Sequence, residues 1–133
     1  MTDDIEWILN NSRKVAVVGI SDKPDRDSYR VAKYLSEHGY EIIPVNPMIQ
    51  EWNGKKAYPD ILSIPEPIDV VDVFRKPDAV PEIVDQAISK HVKAIWLQEG
   101  IEHPDSEKRA MANGLRVVSN RCMMKEHRRL HGE

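Results

Sequence analysis

The sequence predicts an α/β fold built on a parallel sheet, and three observations support this. Five short, largely apolar runs recur along the chain, at residues 14–19, 40–47, 69–75, 93–98 and 115–119. The stretches around them place apolar residues at helical spacings of three and four. The connections are short, and parallel neighbours require crossovers of one hand, normally through a helix. Together these give a Rossmann-like, doubly wound parallel sheet of five strands with helices on both faces and the strand order 3-2-1-4-5.

In chain order, residues 3–11 form a short helix. Asp3 is placed to cap it, Glu6 stands three positions on as in a capping box, and Ile5, Ile8 and Leu9 make one apolar face. The first strand, Lys14-Val15-Ala16-Val17-Val18, stops at Gly19-Ile20-Ser21, as a strand buried on both faces does when it enters a functional loop. Ser28 is the expected cap of a helix over 28–38, whose inner face is Val31, Tyr34, Leu35 and His38 and whose stop is Gly39.

The second strand, 40–47, contains Pro44, which cannot donate to a ladder and belongs at a sheet edge or a strand end. Residues 48–67 are polar, with a turn at Asn53-Gly54 and a short helix over Pro59 to Ser63. The third strand, Asp69-Val70-Val71-Asp72-Val73-Phe74-Arg75, precedes a helix to about Lys90 that Asp78 caps, with Pro81 in its first turn. The fourth strand stops at Glu99-Gly100. A helix over 104–113 ends at Asn113-Gly114, the fifth strand follows, and a last helix runs from Cys122 to Leu130.

The whole chain, 1–133, reads as one domain without repeat or linker, long enough to bury one core. A net charge of -3 argues against a nucleic-acid binder, which would carry a basic face. No apolar run approaches the roughly 20 residues that span a bilayer. The acidic start Met1-Thr2-Asp3-Asp4 lacks the basic region of a signal peptide, and a lone cysteine, Cys122, fits a reducing compartment. The expectation is a cytoplasmic protein with a small-molecule ligand, no nucleic-acid partner and no membrane partner; a protein partner or homo-oligomer is left open.

A buried strand, a glycine turn and a helix N-terminus together favour an anion, because backbone N–H groups and the helix dipole converge there. The strand ends supply the rest of the candidate site: Gly19, Ile20 and Ser21 after strand 1, Asn46 and Pro47 after strand 2, Phe74, Arg75 and Lys76 after strand 3, and Gln98, Glu99 and Gly100 after strand 4. Arg26 adds charge from the first loop. A dinucleotide fits poorly, since G-x-G-x-x-G is absent and Asn46-Pro47 stands where an NAD site wants an acid. A small NAD(P)-dependent oxidoreductase is therefore the second reading. Several cations beside a helix terminus suit a ligand with more than one phosphate.

The blocks Val17-Val18-Gly19-Ile20-Ser21, Pro44-Val45-Asn46-Pro47, Asp69 to Arg75, Trp96-Leu97-Gln98-Glu99-Gly100 and Val118-Ser119-Asn120-Arg121-Cys122-Met123 occur in order. In these the chain resembles the small single-domain CoA-binding proteins, over about residues 12 to 130. That family shares its fold with the N-terminal domain of the succinyl-CoA synthetase α subunit and of NDP-forming acyl-CoA synthetases. The resemblance implies coenzyme A or an acyl-CoA across the strand ends. The Gly19-Ile20-Ser21 loop and Arg26 would meet phosphates, and Asn46 and Pro47 would line the nucleotide side. Arg75 or Lys76 would lie near a phosphate, with Phe74 flanking, and Gln98, Glu99 and Gly100 would follow the pantetheine arm. It implies a carrier, sensor or regulatory protein, since no residue set joins a nucleophile to a base and an orienting group.

Plainer readings stand beside these. Gly19 also suits a ligand-free turn, Ser28 a simple cap, and Arg75-Lys76 a solvated strand end, while Glu99 is awkward beside an anionic ligand. Cys122 at a helix start could have a lowered pKa and form a mixed disulfide with the CoA thiol, or be a partly buried, inert residue. His127 and His131 share a helix face but lack zinc-site order, so a polar, basic face with no metal is expected.

Overall fold

In the computed structural model, which describes residues 2–132, five parallel strands form one sheet: β1 (Lys14–Val18), β2 (Glu41–Val45), β5 (Val70–Val73), β6 (Ala94–Leu97) and β7 (Arg116–Val118). A two-stranded hairpin, β3 (Glu51–Trp52) with β4 (Lys55–Lys56), lies between β2 and β5 in the chain. The helices are α1 (Thr2–Asn11), α2 (Asp27–Ser36), α3 (Val80–Lys90), α4 (Pro104–Ala112) and α5 (Met123–Leu130).

The alternation of strand residues divides the core into two layers. Val15, Val17, Ile42, Val70, Trp96 and Val118 face α1, α2 and α5, joining Ile8, Leu35 and Met123. Ala16, Val18, Ile43, Val71, Val73, Ile95 and Leu97 face α3 and α4, joining Val84, Ala87 and Ala110. Every residue of β5 and β6 is buried, as strands covered on both sides require.

The strand order is β2-β1-β5-β6-β7, or 2-1-3-4-5 in the numbering of the five sequence runs, and this corrects the expected 3-2-1-4-5. Pro44 explains why. Its carbonyl accepts from the Tyr58 N–H at 2.9 Å on the side away from β1, and in a strand the N–H and C=O of one residue point the same way. The missing donor therefore faces outward, which suits β2 to the edge of the sheet, where only a single bridge to Tyr58 lies beyond it among the described residues. The third of the five runs, β5, pairs instead with the open side of β1, Val15 opposite Val70 through Val18 opposite Val73. The chain thus reverses direction across the sheet between β1 and β5, where the loops leaving the two strands diverge and leave a crevice.

Local expectations also shift. The Asn53-Gly54 turn closes β3 onto β4, both residues at positive φ (51° and 80°), as the tightest hairpin turn demands. Residues Pro59 to Ser63 form no helix, because Asp60 Oδ1 captures the Ser63 N–H at 2.8 Å and Gln86 Oε1 the Ile61 N–H at 3.0 Å. Asp3 lies inside the first turn of α1 rather than at its cap. Asp78 falls in a short 3₁₀ turn, Pro77–Ala79, and caps nothing; α3 starts after Ala79. Ser28 is not the cap of α2, which begins at Asp27 after Arg26. None of the helices among the described residues is long and apolar enough to cross a membrane.

Candidate functional site

The carboxyl ends of β1 and β5 meet at Gly19. Its φ is +86°, its N–H donates to the Val45 carbonyl at 2.9 Å, and a Cβ there would lie 2.5 Å from the Phe74 carbonyl oxygen and 2.9 Å from Arg75 Cδ. Glycine is thus required twice over, by backbone conformation and by the close approach of the β5 loop. The loop beyond is braced from within: Ser28 Oγ accepts the Ser21 N–H at 2.9 Å, and Ser21 Oγ accepts the Lys23 N–H at 3.0 Å. Ser28 therefore shapes the loop where a cap had been expected. Asn46 is a brace too, its Nδ2 donating to the Ile20 carbonyl and its Oδ1 accepting the Met48 N–H, both at 2.8 Å.

Around this turn lies a cleft of about 680 Å³ lined by Gly19, Ile20, Ser21, Arg26, Asn46 and Phe74, among others. Ile20, although it borders this cleft, is fully buried and anchors the loop from beneath. Phe74 and Asp27 also line a second cleft, of about 650 Å³, that continues over Arg75, Lys76, Gln98, Glu99 and Gly100. The structure therefore brings eleven of the twelve candidate residues to one continuous trough. Pro47 is the exception and lines a neighbouring hollow of about 270 Å³ with Val18, Pro59 and Ile61.

Charge is distributed unevenly along the trough. Lys23, Arg26, Arg75 and Lys76 are exposed, and none has an ion pair among the described residues. The first-turn amides of α2 open on the same place. Further along, Glu99 is held by Lys125 Nζ at 3.1 Å, which resolves its apparent misfit beside an anion. The Gly100 N–H donates to Asn120 Oδ1 at 2.7 Å, and Asn120 adopts a positive φ of 56° to present it.

Gln98 is buried on the trough floor, where its Nε2 donates to Asp72 Oδ1. Asp72 is the residue that the sequence reading missed. It is fully buried in β5, its Oδ2 has no partner among the described residues, and burial pushes its carboxyl up to about 7. The available signal was an acid inside an otherwise apolar, doubly covered strand. Asn120, Lys125 and Met124 were missed as well, since they reach the trough from a loop and a helix face that pairing alone brings near.

Cys122 lines the second cleft and a further hollow of about 390 Å³ behind Glu99 and Lys125. Burial pushes its thiol up, only partly offset by the backbone N–H groups of Lys125 and Met124, which favours the reading of a buried, inert residue over that of a thiolate lowered by the helix start. His127 is buried, not on a solvated face: its Nδ1 lies 2.8 Å from the Tyr34 hydroxyl and its ring stacks on His131 at 4.2 Å. Among the described residues no group of three or more His, Cys, Asp or Glu is placed to hold a metal.

Comparison with known proteins agrees with this geometry. Residues 13–128 match the family model described as a CoA binding domain. The uncharacterized protein YneT of Bacillus subtilis is 37% identical over 124 residues, covering 93% of this chain and 92% of that protein. A solved structure of a hypothetical protein from Pyrococcus horikoshii is 48% identical with a TM-score of 0.94, covering 99% of this chain and 93% of that one. The α subunit of an ADP-forming acetate–CoA ligase I of Pyrococcus furiosus is 37% identical over 95 residues, 65% of this chain but only 20% of the ligase subunit. The chain belongs to the CoA-binding domain family.

Proposed function

We propose that the protein binds coenzyme A or an acyl-CoA in the trough across the ends of β1, β5 and β6, as a carrier, sensor or regulatory protein. The observation that supports this best is the ring of Lys23, Arg26, Arg75 and Lys76 around the Gly19 turn, four cations with no ion pair among the described residues. Some cationic side chains elsewhere pair with carboxylates, as Lys14 does with Glu66 and Arg116 with Asp4, but here four unpaired cations stand around one turn. Coenzyme A supplies three phosphate groups, enough to engage such a ring in charge-assisted hydrogen bonds. Phe74, at the junction of the two clefts, would separate the phosphates from a pantetheine arm running over Gln98 and Gly100 toward Cys122.

A thermal-shift series with CoA, acetyl-CoA, NAD, NADP and ATP tests the reading. Ligand at 100 times its Kd stabilises by about 2.7 kcal/mol, on the order of 10 °C for a domain of this size. The expected result is a shift with CoA or acetyl-CoA that shrinks in an Arg75→Ala, Lys76→Ala double variant. A shift with NAD or NADP alone would overturn the proposal in favour of an oxidoreductase.

A further inference from the structure

We infer that Asp72 is a positioning residue that fixes the side-chain amide of Gln98, so that the floor of the trough presents a carbonyl acceptor to an N–H donor of the ligand. The inference rests on the CoA reading, since the pantetheine arm carries two secondary amides and passes over Gln98 in that model.

A carboxylate taken out of water and given one neutral partner destabilises a fold, so a fully buried one inside a strand calls for a reason. The alternation of β5 turns Asp72 toward the same layer as Val17, Trp96 and Cys122, and the alternation of β6 turns Gln98 to that side as well. Gln98 is the only hydrogen-bond partner of Asp72 among the described residues, and its other oxygen has none. Nothing else in the core depends on this acid for a hydrogen bond. Gln98, in contrast, forms part of the ligand-facing floor.

An ionised carboxylate only accepts, so the Gln98 NH₂ must face it and the Gln98 carbonyl is turned the other way. A protonated Asp72 carries an O–H that can donate to the Gln98 carbonyl, which reverses the amide and turns the NH₂ outward. Because burial raises Asp72 to about 7, both states occur near neutral pH. Burial raises the Cys122 thiol on the start of α5; Glu99 beyond β6 is paired with Lys125; Asp27 and Arg30 of α2 are paired with each other; the β1 residues on this face, Val15 and Val17, are apolar.

The experiment compares calorimetric affinities for CoA and for its nucleotide half, adenosine 3′-phosphate 5′-diphosphate with the terminal phosphate capped as a methyl ester, between pH 6 and 8. The nucleotide half carries the same titrating phosphates but no amide, so the ratio of the two affinities isolates the arm. In the wild type the ratio should favour CoA about tenfold more at pH 8 than at pH 6, the value of one good hydrogen bond. Asp72→Asn, whose amide can partner Gln98 either way round, should flatten that profile and weaken CoA while leaving the nucleotide half unchanged. A ratio in the wild type that does not change with pH overturns the inference without any variant, and equal weakening of both ligands by Asp72→Asn overturns it as a merely structural role. If the wild type binds neither ligand, the CoA reading falls first and the inference with it.

Discussion

Asp69, just before β5, and Asp72, inside it, stand three residues apart, and the fold treats them oppositely. Asp69, at the amino edge of the sheet, accepts the backbone N–H groups of Arg13 at 2.9 Å and Lys14 at 2.8 Å and pairs with Lys93 at 3.1 Å. Burial alone would raise its carboxyl, but those donors outweigh it and hold the group below its ordinary value. Asp72, toward the carboxyl edge, has one donor and an unpartnered oxygen, and stands well above. The surrounding charges repeat the contrast. At the amino edge Lys14 pairs with Glu66, Lys93 with Asp69 and Arg116 with Asp4, whereas Lys23, Arg26, Arg75 and Lys76 at the carboxyl edge are unpaired among the described residues. One end of the sheet is finished as a structure, and the other is left to be completed from outside.

The largest expected effect comes from removing the unfinished acid. Asp72 ionises near 3.8 in the unfolded chain and near 7 in the fold, so the native state holds its proton longer. Stability is therefore full below pH 4, falls as pH rises from about 4 to about 7, and stays reduced above. The difference of about three units corresponds to at most about 4 kcal/mol. Asp72→Asn should raise the melting temperature strongly at pH 8 and hardly at all at pH 4. An equal shift at both pH values would show that its ionisation does not burden the fold.

Next comes Gly19→Ala. A Cβ meeting backbone at 2.5 Å, with φ at +86°, forces the β1 and β5 loops apart, at a cost of about 3 kcal/mol. Because the displaced atoms are Phe74 and Arg75, CoA affinity should fall along with stability. A variant with unchanged binding would mean that the trough does not depend on this close approach.

Asp69→Ala should cost somewhat less, about 2 kcal/mol, for leaving two backbone donors, that of Lys14 partly buried, without an acceptor. Its pH dependence has the opposite sign to that of Asp72. The stabilisation is present above the ordinary carboxylate range and is lost as pH falls through the depressed native value, so wild type and variant should converge in acid. Ligand affinity should not change, and a variant that loses CoA binding while still folded would break the division between the two edges.

The sequence made one side of this division easy to read. Apolar runs ending in Gly19, Asn46, Phe74 and Gln98 announce the carboxyl edge, because strand ends and turn chemistry are local properties. Strand order is not local, yet Pro44 contained the needed fact: a residue without an N–H fixes which side of β2 faces outward. The functions of Ser28 and Asp72 were hidden for a related reason. Whether a serine caps a helix or clasps a loop, and whether an acid is solvated or sealed, depends on partners seven and twenty-six residues away that only the folded chain brings near. Of the two readings open for Cys122, the helix start was legible in the sequence, but the burial that favours the inert one was not.

The smallest effects separate the two edges most finely. Lys93 and Lys125 each hold a carboxylate at 3.1 Å, Asp69 and Glu99 respectively. Lys93→Ala removes an ion pair from an acid that still has its two backbone donors, and should cost about 0.5 kcal/mol at low salt and nothing at 1 M salt. Lys125→Ala should leave the melting temperature unchanged, because both its partner and itself are more than half exposed, at 56% and 61%. It should nonetheless weaken CoA several-fold, by unmasking the Glu99 carboxylate beside an anionic ligand, and the loss should shrink as salt screens it. If Lys125→Ala instead lowered stability and spared binding, Glu99 and Lys125 would belong with the structural pairs of the amino edge, and the trough would end at Gln98.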